Sequence, residues 1–209
     1  MQSPFAMTPA GPTGLAVGPF SHQGYTIKRS FWSFFSRVFR IYSPDGKLAL
    51  YVKHPFFKMR DEWSIFADES EAQPLIKVRT RQVVALNYVY DIADARTGEQ
   101  IGSVRNKGLK SIVRDEWELL GPGDQQIGRM QEDGFALLRR FFPFLLGRWH
   151  IEINGATVSN MGQNFTFFSK EFALSIVPGR IDPRFAIACT MLALMREIRR
   201  EDSANYSSE

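Results

Sequence analysis

A chain of 209 residues with 44% apolar and 23% charged residues has the size and composition of one globular domain with a substantial core, which excludes global disorder and a polytopic helical membrane bundle. Its 26 Lys and Arg against 22 Asp and Glu, with a pI near 9.3, favour an acidic partner such as a phospholipid surface, a nucleic acid or an acidic protein, without choosing among them. The single cysteine, Cys189, excludes an intramolecular disulfide and a cysteine-based zinc cage and fits a reducing compartment.

In chain order, residues 1–23 hold Pro4, Pro9, Pro12 and Pro19 among several glycines, with no basic stretch leading into an apolar one. Such a segment buries too little to offset its ordering entropy, so a flexible tail is expected, with no secretory leader and a cytoplasmic location. From Tyr25 onward apolar and polar residues alternate between turn residues, which is the pattern of strands. Pro44-Asp45-Gly46, Thr97-Gly98, Gly121-Pro122-Gly123 and Asn154-Gly155 each separate apolar runs, as hairpin connections do. In the run 112–120, Val113, Trp117 and Leu119 share one face while Arg114, Glu116 and Glu118 share the other, so one face is expected to be buried. Roughly a dozen short strands follow from this spacing, and no amphipathic helices separate them, which disfavours a parallel α/β fold.

Two stretches echo each other. Arg60-Asp61-Glu62-Trp63 recurs as Arg114-Asp115-Glu116-Trp117, with a turn and strand upstream of each (45–52 and 97–104), a basic loop between, and a further strand after (75–78 and 127–130). This reads as a degenerate duplication of a β-meander. Asp61 and Asp115 fall on the apolar face, where they are expected to cap local turns at the strand start.

The end of the chain changes character. Asp182-Pro183 is an N-cap followed by proline at the first helical position, and the eleven residues 185–195 contain one polar side chain, Thr190. A helix apolar on every side must be surrounded by lipid or by protein. Eleven residues rise only about 16 Å at 1.5 Å each, roughly half a bilayer's hydrocarbon core, so the surroundings are expected to be protein. A sheet that closes around the helix satisfies this and removes exposed strand edges. The expected fold is therefore mainly β: one domain over 24–200, a closed antiparallel barrel of about twelve strands around a buried helix at about 182–200, with a fraying tail at 201–209. Cys189 becomes a small buried apolar residue.

The run 90–104 and the run 107–117, together with Ile181-Asp182-Pro183-Arg184-Phe185 leading into the apolar helix, resemble the LURP-one-related and phospholipid scramblase-like proteins of the tubby-like superfamily. The resemblance implies a twelve-stranded barrel around a hydrophobic C-terminal helix. It also implies mixed functions, since tubby-like domains bind phosphoinositides and scramblases act at membranes with calcium, so fold analogy alone transfers little. A scramblase-like role is disfavoured, because the sequence has neither a cysteine cluster for palmitoylation nor an acidic calcium loop before the helix.

Motifs for catalysis are missing from the sequence. His22, His54 and His150 stand apart without metal-ligand spacing, and there is no nucleophile elbow, Walker loop or dinucleotide fingerprint. No enzyme activity, metal or cofactor is expected, and His150, next to the alternating Ile151 and Ile153, is expected on the solvent face. Two features point to binding. The basic stretch 105–110 with Arg105, Lys107 and Lys110, joined by Arg114 and echoed by Lys53 and Lys58, suits phosphate contacts, although such loops also serve solubility and edge protection. The aromatic runs 31–39 and 141–146, the latter with Phe141, Phe142 and Phe144 between Arg139, Arg140 and Arg148, suit a lipid interface, or burial at a barrel end. The leading expectation is a peripheral domain for anionic phospholipid or phosphoinositide without a transmembrane span. A protein-interaction scaffold is the alternative, and nucleic acid is disfavoured because the positive charge is dispersed.

Overall fold

The computed structural model describes residues 18–29, 36–55, 62–83, 87–106, 116–133, 147–164 and 170–206. Twelve strands follow one another: β1 Gly24–Arg29, β2 Ser36–Tyr42, β3 Leu48–Pro55, β4 Trp63–Phe66, β5 Pro74–Val83, β6 Asn87–Asp94, β7 Gln100–Asn106, β8 Glu116–Leu120, β9 Gln126–Glu132, β10 Arg148–Ile153, β11 Ala156–Asn164 and β12 Lys170–Ile176. Every strand pairs antiparallel with its neighbours in sequence, and β1 pairs with β12, so the sheet is a closed up-and-down barrel. A single helix, α1 Pro183–Tyr206, follows.

Strand alternation puts one set of side chains in the lumen. Tyr25 and Ile27 of β1, Trp63 and Ile65 of β4, and Phe172, Leu174 and Ile176 of β12 are buried, while Lys28 and Ser175 between them face water. The turns have the chemistry that hairpins need. Asn154 and Gly155 both take positive φ, 51° and 77°, the conformation that matches a two-residue turn to the twist of β10 and β11.

The helix fills the lumen. Every residue from Phe185 to Met195 is buried, with Ala186, Ile187, Ala188, Cys189, Met191 and Ala193 wholly inaccessible. Thr190, its one polar side chain, donates to the Ala186 carbonyl at 2.8 Å, so no polar group is stranded there. Asp182 caps the helix, its Oδ1 accepting from the Arg184 amide at 2.8 Å and its carbonyl accepting from the Ala186 amide at 3.0 Å. Gly102 on β7 makes room for the first aromatic of the helix: a Cβ there would lie 2.8 Å from Phe185 Cε2 and 3.0 Å from the Leu120 carbonyl oxygen.

The helix outlasts its expected end at about residue 200 by six residues, because the chain from Arg184 to Tyr206 holds neither glycine nor proline and is rich in Arg, Glu and Ala. Ile198 is still buried. Asp61 and Asp115, expected to cap turns, lie outside the described residues.

The outer wall is charged. Glu62 pairs with Lys77 and Arg79, Arg81 with Asp91 and Asp124, Arg129 with Glu152, and Lys28 with Glu171. Charged residues outside and a packed apolar lumen are the reverse of a membrane-spanning barrel, whose outer band is apolar. No helix of the described residues is long and apolar enough to cross a membrane.

Candidate functional site: two unlike ends of the barrel

In an up-and-down barrel, successive connections emerge at alternate ends. The pairing of Arg29 with Phe39, and of Ser36 with Pro55, brings the end of β1, the start of β2 and the end of β3 to one end. The same alternation carries the strand termini flanking residues 30–35, 56–61, 84–86, 107–115, 134–146 and 165–169 to that end. The turns 43–47, 67–73, 95–99, 121–125 and 154–155, and the segment 177–182 leading into α1, belong to the other.

The sequences sorted in this way are chemically unlike. The residues that lie in sequence between the strand termini of the first end are outside the described ones; by composition they hold twelve of the chain's 18 phenylalanines, with seven Lys and Arg against two Asp. The opposite rim carries no Phe; it holds seven Asp and Glu against three Lys and Arg. Four of these carboxyls, on Asp45, Asp68, Glu69 and Asp124, are held below their ordinary range. The Ser43 hydroxyl, 2.5 Å from Asp45, and Lys47 hold the Asp45 carboxyl down at about 2. Hydrogen bonds from Ser70, Arg40 and Arg81 lower Asp68, Glu69 and Asp124 below the usual carboxylate range.

Among the residues expected to bind phosphate, Lys53 and Arg105 are described. Lys53, near the end of β3, is exposed and 3.0 Å from Glu71, whose hydrogen bond raises its pKa. Arg105, near the end of β7, is half-buried and reaches Glu118 at 3.4 Å across the register that pairs the two residues. Glu118 was expected on a solvent face, yet it is buried, with Arg105 lying over it. Lys58, Lys107, Lys110 and Arg114, and the aromatic Phe141, Phe142 and Phe144, lie outside the described residues. Of the run 31–39, Val38 and Phe39 belong to β2 and are buried, Phe39 wholly.

Two features were not singled out from sequence. Phe165, Phe167 and Phe168, outside the described residues, lie in sequence between β11 and β12, and counting strands in an up-and-down order would have drawn attention to that stretch. Arg196, on the part of α1 that reaches the same end, stacks over the Trp117 ring at 5.3 Å.

His150 lies on the outer face of β10 as expected, but its side chain is only 15% exposed because Asp133, Gln131 and Glu152 surround it. Its Nδ1 is 2.5 Å from Asp133 Oδ1, and its Nε2 is 2.8 Å from Gln131 Nε2 and 3.3 Å from Glu152 Oε1. Both ring nitrogens are thus engaged, which leaves neither free for a substrate. Among the described residues no three His, Cys, Asp or Glu gather as metal ligands. Among the described residues a cavity lined by Met130, Trp149, His150, Ile151, Ser159, Met161 and Thr190 of α1 is about 10 Å³, the room of one water.

No family model and no curated protein matches the chain. Among solved structures it is similar to the X-ray structure of a protein from Arabidopsis thaliana, with 14% identity and a TM-score of 0.49, over 89% of this chain and 99% of that one.

Proposed function

We propose that this barrel is a LURP-one-related, tubby-like domain that binds anionic phospholipid or phosphoinositide surfaces as a peripheral cytoplasmic protein, without catalysis. The reading is supported by sequence: the stretches that join the strand termini at one end of the closed barrel are rich in Phe, Lys and Arg. Aromatic rings favour the acyl boundary while Lys and Arg meet anionic headgroups, each cation contributing on the order of 1 kcal/mol near such a surface. The resemblance of the runs 90–104 and 107–117 to LURP-one-related proteins supports the family. A lumen filled by α1 gives no support to lipid passage through the barrel.

Co-sedimentation with vesicles tests the reading. Recovery on vesicles containing phosphatidylserine or a phosphoinositide should exceed that on phosphatidylcholine alone. Substituting Lys107→Glu together with Lys110→Glu should lower the affinity at least about tenfold with an unchanged melting temperature. Equal recovery on neutral and anionic vesicles, unaffected by the substitutions, would sink it; a stoichiometric protein partner indifferent to lipid would then favour the scaffold.

A further inference from the structure

We infer that a single buried water molecule is bound in the lumen between the barrel wall and α1, accepting a hydrogen bond from the Trp149 indole and donating to the hydroxyls of Ser159 and Thr190. This site stands independently of the lipid-binding reading.

Strand register and the helix bring the three side chains to one place. Trp149 and Ile151 of β10 point into the lumen, where Trp149 is paired with Met161 of β11 and Ile151 with Ser159. Thr190 of α1 borders the same cavity of about 10 Å³, which has the room of one water. His150 also lines it, but its ring is held on the outer face by Asp133 and Gln131.

The inventory of donors and acceptors selects the occupant. The Trp149 Nε1–H is buried without an acceptor among the described residues, and an indole nitrogen can only donate. Ser159 and Thr190 are 2% and 3% exposed, and each hydroxyl has already committed its proton. Ser159 donates to the Ser175 carbonyl and Thr190 to the Ala186 carbonyl, each at 2.8 Å. Their oxygens are therefore left as acceptors. One donor and two acceptors around a water-sized space match a molecule that accepts once and donates twice. A cation would face the indole proton, an anion would face two hydroxyl lone pairs, and an apolar guest would leave the indole unmet.

The water gives α1 a directional tie in the middle of the lumen. From Phe185 to Met195 every other side chain of the helix is apolar, and apolar burial is non-directional, whereas hydrogen bonds have preferred angles. A bridge from Thr190 to Trp149 on β10 and Ser159 on β11 fixes the rotation of the helix against the wall. It also gives a reason for a hydroxyl at a position where valine has nearly the same shape.

Two measurements on the intact chain test the site. In solution NMR the Trp149 indole proton, assigned through its own side-chain carbons, should show a dipolar cross-peak to water while exchanging slowly with solvent. Magnetic relaxation dispersion of water oxygen counts long-lived internal waters without interference from hydroxyl protons. Thr190→Val, which keeps the shape and removes an acceptor, should lower that count by one, and Ser159→Ala should shorten the residence time of the same water. The two substitutions combined should lower the melting temperature by less than the sum of their single effects, although the hydroxyls bond to Ser175 and Ala186 rather than to each other. Absence of a water cross-peak at the Trp149 indole, or an unchanged count in folded Thr190→Val, overturns the site. The indole measurement uses the unsubstituted protein, so it decides the matter even if Thr190→Val fails to fold.

Discussion

The guanidinium of Arg184, in the first turn of α1, donates to Asp94 Oδ2 at 2.9 Å, joining the helix to a hairpin ninety residues earlier in the chain. Asp94 is buried at the end of β6, and its Oδ1 accepts from the Arg96 and Thr97 amides at 2.9 and 3.1 Å. One carboxylate therefore closes the β6–β7 turn and anchors the entry of the helix into the lumen. Asp94→Ala leaves the two amides and the Arg184 contact unmet. The substitution should cost about 1–3 kcal/mol, read as a loss of roughly 2–4 °C in melting temperature for each kcal/mol. A double-mutant cycle with Arg184→Ala should show non-additive losses.

Acid should destabilise the protein through the same group. Hydrogen bonds from the Arg96 and Thr97 amides, with Arg184, hold the folded-state pKa of Asp94 below its ordinary value. A depressed carboxylate stabilises the fold above its unfolded-state pKa, and that contribution is lost as pH falls through the folded value. Glu62, lowered by Lys77 and Arg79, acts in the same direction. Melting temperature followed from neutral pH downward should hold until about pH 4 and then drop, with a shallower drop in Asp94→Asn. An identical acid profile in that variant would remove Asp94 from the account.

Gly128 on β9 permits a close approach of β10 in the barrel wall. A Cβ there would sit 2.1 Å from the Glu152 carbonyl oxygen on β10, which is backbone and cannot swing aside. Gly128→Ala should therefore force β9 and β10 apart, at about 3 kcal/mol or more and a loss of about 6 °C or more. Gly162→Ala, whose Cβ would meet nothing within 4 Å, is the matched control and should melt close to the unsubstituted protein.

How much of this was legible in the sequence depends on range. The helix was visible because residues 185–195 are apolar around the whole circumference, and that apolar run was too short to span lipid. The strand count followed from turn residues, yet β4, only four residues long, is defined by its pairing with β3 and β5 more than by its own pattern. Contacts between distant residues were not visible: nothing near Arg184 announces Asp94, and Glu118 looked solvated until the β7–β8 register set Arg105 over it. The aromatic runs were noticed one by one, and that the strand termini flanking them share one end follows only from the barrel's alternation of connections.

The account depends most on α1 being enclosed by the chain's own strands, in solution and on a bilayer alike. Cys189, in the middle of the apolar run 185–195 of that helix, is wholly inaccessible, and burial pushes its thiol well above the ordinary range. The direct measurement is the rate at which a water-soluble thiol reagent modifies Cys189 in the native protein, with and without anionic vesicles. Modification no faster than global unfolding under both conditions is the predicted result; rapid stoichiometric modification of the folded protein in either would contradict a sealed central helix.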